Sequence, residues 1–321
     1  MENNISAANT KGLKMKKGRS KMQKKEALAG YLFISPWIVG FLIFVLGPLI
    51  ASLIFSLWKW NLLTEPKYIG LKNYQILFRN PEFWNALRVT ATYSFLRLPL
   101  TVFLGLLLAI LLNQKIRALG FFRTLYYLPT VLPTVAVSML WMWIFHPDLG
   151  ILNWFLKRFF GIQGPAWIYD EKWIIPSLIL MSLWWVGSNM LVYLAGLQGI
   201  PTELYEAADI DGAGTITKFF KVTLPMISPV LFYNIIMTLI NSFETFTQVY
   251  VMLGNTPRRN GQFLVLYLYD NAFRFFKMGY ASALAWVIFF ILLFFTLLIF
   301  KSSSAWVYYE GSLKGDGNVG K

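Results

Sequence analysis

Long uninterrupted runs of apolar residues constrain this chain more than any other feature of its sequence. The first run extends from Ala27 to Leu57, and further runs recur as far as Phe300. A helix rises 1.5 Å per residue, so about 20 apolar residues cross the hydrocarbon core of a bilayer. Charged residues make up 14% of the 321 residues, whereas soluble domains carry about 25%. The runs therefore predict an all-α integral membrane protein.

The lengths and spacing of the runs predict six membrane-spanning helices. Prolines inside them are acceptable because neighbouring helices satisfy the carbonyls that a proline leaves free. A basic tail, residues 1–26, precedes the membrane domain of residues 27–300, and a second tail, residues 301–321, follows it. The predicted spans are Ala27–Leu57, Arg88–Leu112, Phe122–Phe145, Trp173–Gln198, Met226–Leu253 and Gly279–Phe300.

The distribution of charge predicts the orientation of the spans. Eight of the 29 lysine and arginine residues lie between Lys11 and Lys25, directly before the first span. With this tail inside, the inner segments carry 16 basic residues and the outer segments 12; without the tail, the comparison is eight against 12. Charges beside the first span usually dominate. We therefore predict that both termini are cytoplasmic, that the tail lies against membrane lipid, and that segment 199–225 faces the cytoplasm.

The composition excludes several classes of site. The chain has no cysteine and one histidine, His146, so disulfides, thiolate metal sites and clustered-histidine metal sites are ruled out. Residues 315–321 match the start of a phosphate-binding loop, but they follow no predicted strand and open no predicted helix. The net charge of +14 does not indicate nucleic-acid binding, because no soluble basic domain is left to carry it. We predict no metal, no cofactor and no nucleic-acid partner for this chain.

The segment 199–225, between the fourth and fifth spans, has an unusual surface. Pro201 is suited to the first turn of a short helix, where its missing N–H is not needed. Small residues follow it, so another molecule can approach the backbone closely. The segment is either a docking helix for a partner or an ordinary connection between two spans. Its small residues are Ala207, Ala208, Gly212, Ala213 and Gly214, and its acidic residues are Glu203, Glu206, Asp209 and Asp211.

The same segment resembles the EAA loop of ABC importer permeases. That pattern is Glu-Ala-Ala, three residues, Gly, nine residues, an aliphatic residue, any residue and Leu-Pro. Here Glu206–Ala208, Gly212, Val222 and Leu224–Pro225 occupy every fixed position at the required spacing. The extended pattern through Asp211–Ala213 is similar to the carbohydrate-uptake branch, which includes the maltose, glycerol-phosphate and multiple-sugar permeases.

This resemblance implies a fold, a set of partners and a location. It implies a type I importer permease fold in the bacterial cell membrane, with its core at about residues 86–300. A second homologous permease would complete the pathway, and two copies of a cytoplasmic ATPase would hold ATP and Mg. An extracytoplasmic solute-binding protein would deliver the sugar, which is expected to be an oligosaccharide. The chain itself is then a transporter subunit and not an enzyme.

In the family, the EAA loop couples the permease to the ATPase. The resemblance implies that Glu206 contacts the ATPase and that Gly212 permits a turn between two short helices. One departure from the family lies after the fifth span, where Gly254–Pro257 replaces the common Gly-Gly-Pro at a loop expected to meet the binding protein. The implied coupling residues are Glu206, Ala207, Ala208, Asp211, Gly212, Ala213, Leu224 and Pro225.

Away from the ends of the predicted spans, two ionisable residues, Arg97 and Glu244, lie within them. A charge inside the membrane is costly, so it usually faces the bundle interior or a water-filled path. The rise of a helix puts them at similar depths, about 13 Å and about 14 Å below the outer ends of their spans. They form a salt bridge, line the pathway, or mark an error in the span boundaries. In the pathway, the forked donors of Arg97 would suit an acidic saccharide.

Polar and aromatic residues interrupt two of the aliphatic spans, at residues 184–189 and 241–248. Sugars are held by aromatic faces and by hydrogen bonds to amides and hydroxyls, so these stretches are candidates for the pathway. The alternative is helix packing, because small and polar residues also join membrane spans. The pathway candidates are Arg97, Trp185, Asn189, Asn241, Ser242, Glu244 and Thr245.

Two other functions compete with the importer hypothesis. A secondary transporter or channel would show inverted repeats, and the sequence shows no clear internal symmetry. A polytopic membrane enzyme would need a catalytic constellation, whereas the acids outside segment 199–225 are scattered and His146 is the sole histidine.

Overall fold

The computed structural model describes residues 21–114, 117–254 and 259–308, which are mostly helical. The chain divides into two compact units, Met1–Ser52 and Leu53–Lys321. Most of both predicted tails, including the segment that resembles a phosphate-binding loop, lies outside the described residues, as do residues 255–258 of the departure from the family pattern.

Helices make up most of the described chain, and a small antiparallel hairpin pairs β1, Trp58–Lys59, with β2, Lys67–Tyr68. Short π turns at Leu42–Leu46, Phe219–Thr223 and Asp270–Arg274, and 3₁₀ turns at Trp167–Tyr169, Leu183–Trp185 and Arg259–Gly261, join some of the helices. The α-helices are α1 (Lys21–Phe41), α2 (Gly47–Ser56), α3 (Lys72–Arg79), α4 (Pro81–Leu112), α5 (Leu119–Val131), α6 (Thr134–Ile144), α7 (Ile151–Phe160), α8 (Ile174–Ser182), α9 (Val186–Gln198), α10 (Thr202–Ile210), α11 (Thr215–Lys218), α12 (Leu224–Met226), α13 (Ser228–Phe243), α14 (Thr247–Leu253), α15 (Leu264–Tyr269) and α16 (Met278–Ser303).

The first predicted span, Ala27–Leu57, corresponds to α1 and α2. Pro36 lies inside α1, and the π turn joins the two helices. Together they give an apolar helical stretch, Leu28–Ser56, that is long enough to cross a bilayer. Its bounds differ from the prediction by one residue at each end.

Three further spans are continuous, as predicted, although their ends move by a few residues. Helix α4 begins at Pro81, well before the predicted start at Arg88. Asn80 explains this earlier start, because its side chain accepts a hydrogen bond from the Glu82 N–H and Pro81 suits the first helical position. The fourth stretch, Ile174–Gln198, combines α8 and α9, and the sixth is α16.

The third span is not one continuous helix. Helices α5 and α6 meet at 99°, and the backbone between them is extended at Leu132 and Pro133. A residue that precedes proline avoids the α-helical conformation, so Leu132 ends α5. The predicted third span, Phe122–Phe145, therefore corresponds to a bent pair of helices rather than to one straight helix.

The fifth predicted span, Met226–Leu253, is also interrupted. The helical stretch Ser228–Leu253 makes an angle of 66° with the preceding stretch, Thr215–Met226, and within it α13 and α14 are separated by residues 244–246. Four helices in the described part of the chain are long and apolar enough to cross a membrane alone, and counting each bent pair as one span gives six. This range is consistent with the predicted six spans.

The connections between spans form two groups within the larger unit. The Asn80 amide donates to the Tyr267 hydroxyl at 2.8 Å, and the Glu171 carboxylate accepts from the Arg259 N–H at 3.1 Å. These contacts place the connections after the first, third and fifth spans at one end of the unit. At the other end, the Tyr308 N–H donates to a residue at the start of α13, which places the end of the sixth span beside the connection that precedes the fifth.

Candidate functional site

The segment that resembles the EAA loop forms two short helical arms, which we call the elbow (residues 202–226). The first arm is α10, and Pro201 immediately precedes its first residue with an extended ψ of 133°. The second arm runs from α11 through a π turn into α12. Between the arms, Asp211, Gly212 and Ala213 form the turn. The elbow thus has the helix–turn–helix form that the resemblance implies.

Gly212 closes the first arm through a Schellman motif. Its φ is +73°, a left-handed conformation that costs free energy for every residue with a Cβ. The Gly212 N–H donates to the Asp209 carbonyl at 3.0 Å, and the Ala213 N–H donates to the Ala208 carbonyl at 2.9 Å. These two bonds satisfy carbonyls that the end of a helix leaves free. The predicted turn is therefore confirmed at Gly212.

The exposed surface of the elbow combines small, acidic and apolar residues. Glu206, Ala207, Asp211 and Gly212 are exposed, Ala208 and Ala213 are half-buried, and Leu224 and Pro225 are half-buried where the second arm meets α13. Ile210 is 87% exposed and Ile216 is 76% exposed. Exposed apolar side chains beside polar ones are typical of a protein contact surface. A groove of about 500 Å³ lies between the arms, lined by small residues together with Lys218 and Lys221.

Two side-chain contacts hold the arms together, and the sequence did not reveal either. The Lys218 ammonium lies 2.7 Å from the Asp209 carboxylate, and the hydroxyls of Tyr205 and Thr223 are 3.0 Å apart. An exposed ion pair contributes at most about 1 kcal/mol, so these contacts brace the turn rather than create it. Their partners come from opposite arms, and only the left-handed turn brings them together.

Inside the spans, Arg97 contacts the fifth span rather than a carboxylate. Its Nη1 donates to the Ser242 hydroxyl at 3.2 Å, and its guanidinium carbon lies 5.8 Å from the centre of the Tyr93 ring. The Ser242 hydroxyl in turn donates to the Thr238 carbonyl at 2.6 Å. The Arg97 Nε is buried and has no hydrogen-bond partner among the described residues.

The salt bridge between Arg97 and Glu244, one of the open interpretations, is not formed. Within the described residues, Arg97 has the Ser242 contact instead. Glu244 follows the last residue of α13, at the break before α14, and its side chain is exposed. The break removes Glu244 from the regular helix on which the comparison of depths relied.

Asn189 joins the fourth span to the fifth. Its side-chain amide donates to the Asn234 side-chain oxygen, Oδ1, at 3.0 Å and to the Thr238 hydroxyl at 3.2 Å. The approach to α4 is close as well, because a Cβ added at Gly105 would lie 3.2 Å from the Asn189 Cβ. These contacts favour the packing interpretation for Asn189.

The candidates therefore separate into two groups. Arg97, Ser242 and Asn189 join through Thr238 and Asn234 into one set of contacts across α4, α9 and α13, which we call the polar seam. Asn234, Thr238 and Ser242 recur every four residues, so they share one face of α13, and this spacing is the signal that the sequence analysis missed.

The other pathway candidates lie outside the seam. Trp185 packs on the apolar core, and Thr245 is buried and donates to the Asn241 carbonyl. The Asn241 and Glu244 side chains are exposed.

His146 has a structural contact at the end of the third span. Its Nδ1 accepts hydrogen bonds from the N–H groups of Asp148 and Leu149, at 3.3 Å and 3.2 Å. These bonds stabilise the turn that follows α6. No group of three or more metal-ligating side chains occurs in the described parts of the chain.

Comparison with known proteins gives consistent relatives. The family of binding-protein-dependent transport system inner membrane components matches residues 101–306. The probable ABC transporter permease protein YesP of Bacillus subtilis strain 168 is 44% identical over 301 residues, covering 92% of this chain and 96% of YesP. The arabinooligosaccharides transport system permease protein AraP of the same organism is 36% identical over 293 residues, covering 90% of each chain.

A solved structure shares the fold as well as part of the sequence. It is a bacterial alginate ABC transporter in complex with an alginate pentasaccharide-bound periplasmic protein. One of its chains is 25% identical to this protein and superimposes with a TM-score of 0.78, covering 88% of this chain and 96% of that one. These matches exclude the secondary-transporter and membrane-enzyme hypotheses. The chain belongs to the inner membrane components of binding-protein-dependent transport systems, as a permease subunit with the ABC importer fold.

Proposed function

We propose that this permease forms half of the translocation pathway of an ATP-driven oligosaccharide importer. A second homologous permease completes the pathway, two copies of a cytoplasmic ATPase drive it, and an extracytoplasmic binding protein supplies the solute. Both termini and the elbow face the cytoplasm. The observation that carries this proposal is the elbow, whose exposed surface is held at a fixed angle by Gly212 and the contacts between its arms.

The geometry of the elbow suits it to transmit movement. Its first arm follows α9 directly, and its second arm leads into α13, so a force on the elbow acts on the fourth and fifth spans together. Glu206 and the neighbouring small residues are exposed for docking in a groove of the ATPase, which binds ATP and Mg. Closure of the ATPase dimer then tilts both spans and opens the pathway to the outside. The polar seam lies between the spans that move, so its free polar atoms are candidates for contact with the sugar.

The chemistry of the relatives supports an oligosaccharide as the solute. AraP is named for arabinooligosaccharides, and the solved relative was captured with a periplasmic protein that carried an alginate pentasaccharide. Amide and hydroxyl groups in the seam are of the kind that bind sugar hydroxyls.

The test is ATP-dependent uptake in proteoliposomes that contain this permease, its partner permease and the ATPase, with the binding protein outside. Glu206→Lys reverses a charge on the exposed docking surface without touching the core. We expect the variant complex to assemble and to hydrolyse ATP. Sugar uptake should fall at least about tenfold, because closure of the ATPase dimer is no longer transmitted to the fourth and fifth spans.

Asp148→Lys provides the matched control, since it is the same type of charge reversal at an exposed position in the connection after the third span. It should transport at the wild-type rate. Normal sugar accumulation by the Glu206→Lys complex would contradict the coupling role, and an absence of ATP-dependent uptake by the wild-type complex would contradict the proposed function itself.

A further inference from the structure

Building on the proposed function, we propose that the imported oligosaccharide carries carboxylate groups and that Arg97 binds one of them during passage. Two independent features of the molecule, at different depths, indicate an anionic solute. One is the unsatisfied charge of Arg97 inside the spans. The other is an excess of positive charge on the outer connections.

The charge of Arg97 has no carboxylate partner in the described chain. A guanidinium has five N–H donors, and within the described residues one of them is used, in the bond to Ser242. The Nε is buried and has no hydrogen-bond partner among those residues. Glu244 is the one acidic residue of the predicted spans, and it forms no ion pair with Arg97. A charge at this depth is costly unless it is paired, and such residues usually mark the path of a substrate or ion.

The free donors of Arg97 suit a carboxylate better than a neutral sugar hydroxyl. A guanidinium binds a carboxylate through two parallel hydrogen bonds, which gives both geometry and charge neutralisation. Hydroxyls and amides alone suffice for a neutral sugar, but those of the polar seam on α9 and α13 already bond to one another. The seam therefore contains one group, Arg97, whose charge a neutral solute would leave uncompensated.

The outer connections carry the same sign of charge. Residues 58–88, 146–172 and 254–278 contain 12 lysine and arginine residues against six aspartate and glutamate residues. This excess runs against the usual distribution, in which basic residues concentrate on the cytoplasmic side. A positive field at the mouth of a pathway raises the local concentration of anions and the rate at which they enter.

Part of this charge surrounds a cleft of about 780 Å³ between the β-hairpin, α3 and the start of α16. Its lysines are exposed and form no ion pair with a described residue, and Glu65 is its one acidic side chain. Trp60 also faces the cleft, next to Phe55 at a ring distance of 4.7 Å. Ammonium groups beside an indole ring are suited to a sugar that bears a carboxylate. The lysines are Lys59, Lys67, Lys72 and Lys277.

The first step of the test determines whether the solute is negatively charged or neutral. The cognate binding protein is incubated with an equimolar mixture of oligogalacturonates, oligomannuronates, xylo-oligosaccharides and arabino-oligosaccharides, each of two to four sugar units. The retained sugar is then identified by mass spectrometry. We expect a uronate-bearing oligosaccharide. Retention of a neutral oligosaccharide alone, followed by its ATP-dependent uptake, would overturn this inference and leave the proposed function intact.

The second step measures uptake of the retained sugar by Arg97 variants in proteoliposomes. We expect Arg97→Gln to lower uptake about tenfold, because a charge-assisted bond is lost, and Arg97→Lys to show an intermediate rate, because it keeps the charge without the fork. Arg117→Gln is the matched control, with the same substitution at an exposed position in the connection after α4, away from the outer connections, and it should change uptake less than about twofold. If Arg97→Gln does not assemble, the uptake rate of the Arg97→Lys complex decides whether Arg97 recognises the acidic sugar. Wild-type uptake of an acidic sugar by an assembled Arg97→Gln or Arg97→Lys complex would remove Arg97 from recognition.

Discussion

Gly212 lies at the point where the chain reverses direction between the two arms of the elbow. Its left-handed conformation lets the first arm end in a Schellman motif, and the second arm begins three residues later. Gly214 is close in sequence but different in conformation, with φ of −69° and ψ of 167°, which any residue can adopt. A side chain at position 212 therefore conflicts with the backbone conformation, whereas a side chain at position 214 changes only the size of the residue.

This difference gives a prediction for Gly212→Ala. The alanine must keep the left-handed backbone conformation, which costs about 1–2 kcal/mol for a residue with a Cβ. We expect the elbow to lose its fixed angle and ATP-dependent sugar uptake to fall several-fold, while the complex still assembles. Gly214→Ala is the control, because an added Cβ there meets no atom within 4 Å. Equal uptake by the two variants would show that the left-handed turn is not required for coupling.

At the scale of elements, α13 provides the polar face that joins three spans. Asn234, Thr238 and Ser242 recur at intervals of four residues, and Asn189 and Arg97 reach this face from α9 and α4. Polar contacts of this kind stabilise helix association where surrounding lipid offers no hydrogen bonds. The seam therefore links α4 to α9 and α13, the helices on either side of the elbow.

Asn189→Ala should destabilise this packing. It removes two hydrogen bonds and leaves the Asn234 side-chain oxygen, Oδ1, without its partner from α9, at a cost of about 1 kcal/mol. We expect a lower midpoint of thermal unfolding for the detergent-solubilised complex, measured by tryptophan fluorescence. Asn241→Ala is the control, because it makes the same substitution at an exposed position on α13 outside the seam, and it should leave the midpoint nearly unchanged. An unchanged midpoint for Asn189→Ala would mean that the seam does not hold the spans together.

The elements also show which features the sequence could predict. Span length depends on apolar composition alone, so the first, second, fourth and sixth spans were located to within a few residues at most ends. The break in the third span depends on the backbone of one residue, Leu132, which the hydrophobic pattern does not register. The partner of Arg97 depends on how α4 and α13 are rotated about their axes, which apolar runs do not specify. Motif spacing predicted the elbow, because a short segment contains all of its residues.

At the scale of the whole molecule, the two groups of connections lie at opposite ends of the spans. The hairpin connection carries exposed lysines, whereas the elbow carries exposed acids and isoleucines. The natural absence of cysteine means that any introduced cysteine is a unique site for labelling. Leu63 in the hairpin loop and Ile216 in the elbow are suited to this purpose, because they are 81% and 76% exposed.

We expect a membrane-impermeant maleimide to label Leu63→Cys in intact cells that express this permease without its ATPase. Ile216→Cys should react only after the membrane is permeabilised, because the proposed orientation places the elbow in the cytoplasm. In inverted vesicles, added ATPase should protect Ile216→Cys from the reagent by covering the elbow, whereas bovine serum albumin should not. Labelling of Ile216→Cys in intact cells would place the elbow outside, where no ATP-driven subunit can reach it. Unprotected labelling in the presence of the ATPase would show that the subunit docks elsewhere, even with the predicted orientation correct.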